Sequence, residues 1–271
     1  MSRIAATFET LRAQRRRALI PFVMGGDPSL DATASFLLRF AAAGADVLEI
    51  GVPFSDPIAD GPINQRAAQR ALITGVGLRD ILALVKLVRP RVTHPVVLLT
   101  YYNPVLQYGL EAFCRDAPAA GVDGVVIPDL PPEEGDPLRA AASPRGLDTI
   151  FLAAPTSTDE RLARVAAGSS GFVYCVSLTG VTGVRTTIAG DIGALVSRLR
   201  RQTTLPVCVG FGVSTPEHAR QVASVADGVI VGSAIVSIVE REGAAAGPAL
   251  EEFVRGLRAG VDDTAGAHAG G

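Results

Sequence analysis

Short runs of apolar, often β-branched residues alternate along the chain with longer segments in which apolar residues recur every three or four positions. The short runs lie at 19–24, 46–52, 95–101, 124–129, 148–154, 172–177, 206–212 and 228–233. The longer segments lie at 31–43, 78–89, 159–167, 191–201 and 215–223. These two patterns predict strands and amphipathic helices, respectively. Several of the helices open with Ser, Thr or Asp near a cap position, for instance Ser29, Thr158 and Ser214.

The strand segments are apolar over their whole length, which indicates strands buried on both faces. Such strands are typical of parallel sheets, whose connections are helices. Eight of them favour a single (β/α)8 TIM barrel with parallel strands and a short extra N-terminal helix over an open doubly wound sheet of about five or six strands. We expect the barrel to span 1–259 and the Gly/Ala-rich tail, 260–271, to be disordered.

The second strand segment opens the stretch LEIGVPFSDPIADGP, which contains Glu49, Asp56 and Asp60 but no Lys or Arg. Catalytic groups of TIM barrels lie at the C-terminal ends of the strands. Because strand residues alternate between faces, Glu49 lies on the other face of the strand from Leu48 and Ile50. These two aliphatic side chains suit the helix layer, so Glu49 should point into the lumen. Burial would raise the pKa of Glu49, whereas a more solvated Asp60 would stay ionised, a division that suits acid–base chemistry.

The last two strands end in the glycine-containing sequences GFG and GSAI. Phosphate binds in TIM barrels at the loops after these strands, so Gly212, Gly232 and Ser233 are candidate phosphate contacts; two tight turns are the alternative. The segment 177–191 is long for such a loop and predicts a lid. Tyr174 either presents its hydroxyl in the lumen or is a core tyrosine.

Composition excludes several functions. The net charge is −2 and the arginines are mostly scattered, which argues against nucleic-acid binding. The absence of a long apolar run argues against membrane insertion and secretion, and three cysteines without CxxC spacing suit a cytoplasmic protein. Lys86, the only lysine, lies in a helix segment away from the strand ends, and the three histidines stand apart, so neither a Schiff base nor a metal site is expected. The function classes that remain are a lyase or an isomerase. Such an enzyme would act on a phosphorylated substrate with carboxylates and without a cofactor.

Five further stretches accompany LEIGVPFSDPIADG. They are LLTYYNPVLQYG, IPDLPPEE, GVTG, VGFGVSTPE and VGSAIV. From Phe8 to Val254 the chain therefore resembles the tryptophan synthase alpha subunit family. The resemblance implies a TIM-barrel lyase that cleaves indole-3-glycerol phosphate reversibly to indole and D-glyceraldehyde 3-phosphate. It also implies an alpha2beta2 heterotetramer in which only the beta subunit carries pyridoxal phosphate and joins the indole to serine.

The resemblance also assigns residues. Glu49 matches the acid–base residue and Asp60 the carboxylate that binds the indole N–H. The matching substrate-binding positions are Phe22, Tyr101, Tyr174, Thr182, Gly183, Phe211, Gly212, Ile230, Gly232 and Ser233. Phe22, Tyr101 and Ile230 would line the indole pocket, and Thr182 would orient Asp60.

Four points stay open. The chain carries Asn64 where family members usually carry an aliphatic residue, close to the expected partner contact. Asp56 either organises its loop, faces the beta subunit, or does both. The chain could be a stand-alone lyase that releases free indole, or a weakly catalytic subunit that only activates its partner. Another phosphate-binding barrel, such as a sugar-phosphate isomerase, is a more distant alternative.

Overall fold

A computed structural model of the protein describes residues 1–176, 188–210 and 212–263. Nine parallel strands lie within these ranges: β1 (Ala18–Met24), β2 (Leu48–Gly51), β3 (Val96–Leu99), β4 (Gly124–Val126), β5 (Asp148–Ile150), β6 (Leu152–Ala153), β7 (Val173–Val176), β8 (Val207–Gly210) and β9 (Gly228–Val231). Their order around the sheet is β5-β4-β3-β2-β1-β9-β8-β7-β6. The predicted parallel barrel is therefore confirmed.

The ninth strand arises because the fifth predicted strand is divided at Phe151. Its first half, β5, pairs with β4, and its second half, β6, pairs with β7. The two halves are consecutive in sequence, so one stretch of chain joins the two ends of the sheet and closes the barrel. Because β5 and β6 together occupy one position around the barrel, the eight predicted strands correspond to the eight strand positions of the barrel.

Helices surround the sheet. In the described ranges the α-helices are α1 (Arg3–Ala13), α2 (Leu30–Ala42), α3 (Pro62–Ile73), α4 (Leu78–Val88), α5 (Tyr102–Tyr108), α6 (Leu110–Ala120), α7 (Asp136–Ala142), α8 (Asp159–Gly168), α9 (Ile188–Arg200), α10 (Pro216–Ala223), α11 (Ser233–Glu242) and α12 (Gly247–Asp262). Short 3-10 helices lie at Arg89–Arg91, Ser143–Arg145 and Gly243–Ala246. No helix in this part of the chain is both long and apolar enough to cross a membrane.

The three residues predicted to lie near helix caps do so. The side chains of Ser29 and Thr158 accept hydrogen bonds from backbone N–H groups in the first turns of α2 and α8. At α10 the N-cap is Thr215, the residue directly after Ser214, and its side chain accepts from the backbone N–H of His218. Pro216 occupies the first helical position, where its missing N–H costs nothing, and this fixes the start of the helix one residue later.

The core has two main layers, which confirm the predicted faces of β2. Leu48, Ile50 and Val52 pack with the helices in the outer layer. Val47 packs in the lumen. Glu49, two positions along the same strand, therefore shares the lumen-facing side with Val47.

Helix α1 closes the N-terminal end of the barrel. Ile4, Phe8 and Leu11 recur on one face of the helix and are buried in the lumen cluster. The ring of Phe8 lies 5.9 Å from that of Phe172, measured between centroids. This end of the lumen is therefore filled by side chains, and TIM barrels bind their ligands at the opposite end, where the strands terminate.

The last helix continues past the predicted end of the domain at residue 259. Helix α12 runs to Asp262, and Gly260 and Val261 are buried in it. Gly260 lies directly against the backbone of Pro216, so that α10 and α12 approach closely at a position without a side chain. Residues 260–262 of the predicted tail are therefore helical, and a Gly/Ala-rich sequence that permits close helix packing resembles a flexible one. Residues 264–271 of the predicted tail lie outside the described residues.

Candidate active site

Glu49 is a buried carboxyl group with no compensating partner. It lies on β2 in register with Phe22 on β1 and Val97 on β3, and its exposed fraction is 1%. Neither carboxyl oxygen has a hydrogen-bond partner within the described part of the chain. Burial raises the pKa of Glu49 to about 8, and the negative charge of Asp60 contributes to the increase. At neutral pH the group is therefore mostly protonated and can both give and take a proton.

Asp60 lies in the loop between β2 and α3, where the Tyr101 hydroxyl donates a hydrogen bond to Asp60 Oδ2 over 2.9 Å. Burial raises the pKa of Asp60, whereas the hydrogen bond from Tyr101 and the polar Asn64 side chain lower it. Asp60 is thus less solvated than the sequence suggested. It differs from Glu49 because it has a donor that stabilises its charged form.

The backbone around Asp60 is held on both sides. The Gln65 side chain donates to the Asp60 carbonyl over 2.8 Å, and the Ala59 N–H donates to the Tyr101 hydroxyl over 3.0 Å. The Phe54 ring packs on Tyr101 with 5.2 Å between centroids. Contacts from α3 and from the end of β3 therefore fix the loop.

Asp56 makes different contacts from Glu49 and Asp60. It is exposed, and its side chain accepts a hydrogen bond from the Ser55 hydroxyl over 2.5 Å. Its backbone carbonyl accepts from the Ile58 N–H over 2.9 Å. These contacts agree with a loop-organising role.

Apolar side chains surround Glu49 in the lumen. Phe22 and Ile230 are each 3% exposed and lie on β1 and β9. The Phe22 ring packs over Gly51 of β2. A Cβ atom at position 51 would lie only 2.7 Å from Phe22 Cζ, so the ring can take this position because residue 51 is a glycine. The lumen near Glu49 is therefore mainly apolar, which suits an aromatic ligand.

Tyr174 lies in the lumen as well. It packs against the lumen cluster from β7, and its pKa is raised by burial and then by the charge of Glu49. A side-chain carbon on Gly210 of β8 would lie 3.2 Å from the Tyr174 hydroxyl oxygen. Of the two interpretations of Tyr174, the one that places its hydroxyl in the lumen agrees with these contacts.

The glycines predicted to contact phosphate lie at neighbouring strand ends. Gly210 of β8 is in register with Ile230 of β9, so Gly212 and Gly232 follow adjacent strands. Gly212 has a φ of +60° and open space around its missing side chain, and Gly232 is the N-cap of α11, whose first residue is Ser233. Backbone N–H groups at such a helix start bind anions. Thr182, Gly183 and Phe211 lie outside the described residues.

Sequence reasoning missed the roles of two side chains. Tyr101 was expected only to line the indole pocket, yet it donates a hydrogen bond to Asp60. Asn64 was noted only as a departure from the family pattern, yet its polar side chain lowers the pKa of the same carboxylate. The sequence did contain a signal for the helix that places Asn64 near Asp60. Gly61-Pro62 followed by an alanine-rich segment is typical of a helix that begins at the proline. Within the described residues, no group of three or more His, Cys, Asp or Glu could hold a metal ion.

Comparison with known proteins decides the family. The family model described as tryptophan synthase alpha chain matches residues 8–261. The chain belongs to the tryptophan synthase alpha chain family. It is 50% identical over 267 residues to the tryptophan synthase alpha chain of Geotalea uraniireducens, covering 98% of this chain and 100% of that one. It is 51% identical over 262 residues to the alpha chain of Geobacter sulfurreducens, covering 96% and 99%.

Solved structures of tryptophan synthase alpha chains have the same fold. The alpha subunit of Legionella pneumophila strain Paris superposes with a TM-score of 0.91 at 38% identity, covering 97% of this chain and 99% of that chain. A chain from a crystal structure of Mycobacterium tuberculosis tryptophan synthase superposes with a TM-score of 0.88 at 41% identity, covering 96% and 99%. The similarity therefore extends over nearly the whole chain.

Proposed function

We propose that this tryptophan synthase alpha chain cleaves indole-3-glycerol phosphate to indole and D-glyceraldehyde 3-phosphate with Glu49 and Asp60 as its catalytic residues. The single observation that carries the assignment is the environment of Glu49. It is a buried, lumen-facing carboxyl group without a hydrogen-bond partner in the described residues, and its pKa is raised to about 8 beside a second carboxylate. A buried and unpartnered acid lowers the stability of a fold, and such groups cluster at functional sites.

The two carboxyl groups suit the two halves of the reaction. Protonated Glu49 donates its proton to indole C3, and the positive charge that forms on the ring is stabilised by the Asp60 carboxylate at the ring N–H. Ionised Glu49 then takes the proton of the glycerol hydroxyl next to C3. The C–C bond breaks as the hydroxyl carbon becomes an aldehyde, and its electron pair returns to the indole ring. Glu49 ends protonated, as it began.

The remaining residues bind the substrate in this proposal. Phe22, Tyr101, Tyr174 and Ile230 line the indole and glycerol positions. Phosphate binds at the strand ends after β8 and β9. The residues assigned to the phosphate end and the lid are Thr182, Gly183, Phe211, Gly212, Gly232 and Ser233. The positive end of α11 favours the phosphate charge.

The product indole passes to a beta subunit, which holds pyridoxal phosphate and forms L-tryptophan in an alpha2beta2 heterotetramer. Family membership supports this arrangement, since the chain is similar over nearly its whole length to alpha chains of tryptophan synthases. We also propose a cytoplasmic location, which suits the three free, buried cysteines.

Turnover of indole-3-glycerol phosphate tests the proposed function. We expect the purified chain to release indole and glyceraldehyde 3-phosphate in equal amounts, and a tryptophan synthase beta subunit to accelerate the release. Product is measured by indole absorbance and by coupled oxidation of the aldehyde. Absence of both products with the beta subunit present would overturn the proposal, and rapid indole release that the beta subunit leaves unchanged would favour the stand-alone lyase.

A further inference from the structure

The side chain of Gln65, near the start of α3, binds the backbone of the loop that carries Asp60. Its Nε2 donates a hydrogen bond to the Asp60 carbonyl oxygen over 2.8 Å and makes a weaker contact with the Pro57 carbonyl oxygen at 3.5 Å. The Asp60 N–H donates to the same Pro57 carbonyl over 3.0 Å and closes a turn. One amide group therefore contacts both ends of the turn that ends at Asp60.

Helix α3 is itself fixed to the barrel on two sides. Ala67, Ala68 and Ala71 form its buried face. Arg70, one turn further along, binds Asp27 in a bidentate ion pair, in which Nε and Nη2 each lie 2.8 Å from a carboxylate oxygen. Asp27 is 1% exposed, and bidentate pairs of this kind are specific in geometry. The Gln65 amide is thus presented by a rigid element, which orders the turn at a lower entropic cost than water would.

Tyr101 holds the same turn from the opposite side. Its hydroxyl donates to Asp60 Oδ2 over 2.9 Å and accepts from the Ala59 N–H over 3.0 Å. A single oxygen atom thereby contacts the carboxylate and the backbone of the preceding residue. Both contacts persist together as long as the backbone at Asp60 keeps its conformation, and the hydrogen bond from Gln65 to the Asp60 carbonyl holds that conformation.

We propose that Gln65 is a positioning residue for the cleavage reaction, which fixes the backbone of Asp60 and so directs its carboxylate to the indole N–H. The inference rests on the proposed function, because it assigns Gln65 a part in how Asp60 acts. Gln65 does not touch the substrate in this proposal. A displacement of a reacting or stabilising group by about 1 Å can reduce the rate by up to about 100-fold, so the position of the turn affects catalysis directly.

Gln65→Met tests the inference, because methionine is similar in size to glutamine and has no N–H group. We expect kcat for indole-3-glycerol phosphate cleavage to fall by about tenfold, the contribution of one hydrogen bond. KM should change less, because the positive charge that Asp60 stabilises develops during the reaction. Gln69→Met is the matched control, since Gln69 is exposed one turn further along α3 and the substitution is the same. It should leave kcat unchanged.

A double-mutant cycle with Asp60→Asn separates positioning of the carboxylate from a general structural role. If Gln65 acts through the charge of Asp60, Gln65→Met should lower kcat by less than about twofold in the Asp60→Asn background, because the charge is already absent. A tenfold loss in both backgrounds would overturn the inference, and so would wild-type kcat in folded Gln65→Met. If Gln65→Met fails to fold, Gln65→Ala removes the same donor and is judged by the same cycle.

Hydrogen exchange of the Ala59 and Asp60 backbone N–H groups in the full-length protein tests the structural step without turnover. We expect both groups to exchange about tenfold faster in Gln65→Met than in the wild type, and at the wild-type rate in Gln69→Met. Unchanged exchange in folded Gln65→Met would overturn the inference. Inactive wild-type protein would instead contradict the proposed function, and the exchange rates would still decide whether Gln65 fixes the turn.

Discussion

Replacing Glu49 by Gln is expected to lower kcat for indole-3-glycerol phosphate cleavage by roughly 10²- to 10⁴-fold, the usual contribution of a general acid–base group. Gln has nearly the same shape but can neither donate a proton to indole C3 nor take one from the glycerol hydroxyl. Its neutral amide suits the apolar lumen better than a carboxylate does, so the variant should stay folded. Indole release under saturating substrate measures the effect.

The Glu49→Gln variant should also differ in how its stability depends on pH. The pKa of Glu49 is about 8 in the folded protein, against an ordinary value of 4.5 for a glutamate side chain. Between these values the unfolded wild-type chain has lost a proton that the folded chain retains, so the free energy of unfolding falls as the pH rises. Glu49→Gln lacks this decrease and should be more stable than the wild type at pH 8. Glu9→Gln, at an exposed position on α1, is the control and should change neither activity nor this pH dependence.

Retained cleavage in folded Glu49→Gln would contradict the assigned role. Binding must be measured alongside turnover so that loss of chemistry is separated from loss of substrate. The chain contains no Trp, so the fluorescence of indolepropanol phosphate can be followed without a protein indole signal. We expect Glu49→Gln to bind this compound about as well as the wild type does.

Replacing Asp60 by Asn is expected to lower kcat by roughly 10²- to 10³-fold, comparable to the loss of one preorganised electrostatic contact with a transition state. The amide keeps the size of the side chain and its contact with Tyr101, but it removes the negative charge that stabilises the cationic indole ring. Since the charge develops only during the reaction, kcat should fall more than KM rises. Steady-state kinetics over a range of substrate concentrations separate the two constants.

Asp56→Asn is the matched control for Asp60→Asn. Both residues lie in the same loop, but Asp56 is exposed and bonds to Ser55 rather than to groups in the lumen. In the isolated chain we expect this variant to cleave the substrate at close to the wild-type rate. Equal losses in the two variants would indicate that the loop as a whole, and not the charge of Asp60, is required.

The pattern of apolar positions predicted the parts of this site that depend on strand geometry. The alternation of side chains in β2 correctly placed Glu49 in the lumen and Leu48 and Ile50 against the helices. That inference required only the period of a strand and the apolar character of the helix layer. The raised pKa of Glu49 followed from the same placement.

The pattern was less informative where small residues form the buried face. Helix α3 was not among the predicted helices, because the residues it buries are alanines, which give a weak hydrophobic period. Without α3, the proximity of Asn64 to Asp60 could not be foreseen. The division of the fifth strand at Phe151 was also missed, since the whole stretch from Asp148 to Ala154 is suited to a buried strand. The identities of the substrate and the partner came from the family resemblance, because spacing and polarity cannot distinguish one phosphorylated aromatic compound from another.

The pKa of Glu49 tests the central claim most directly, namely that a buried, unpartnered carboxyl group carries protons during cleavage. It can be measured from the ¹³C resonance of the Glu49 carboxyl group, assigned with Glu49→Gln, together with the pH profile of kcat/KM. We predict a titration near pH 8 and a basic limb of activity at the same pH, since cleavage begins with protonated Glu49. A Glu49 titration near its ordinary value, with a basic limb unrelated to it, would contradict this claim.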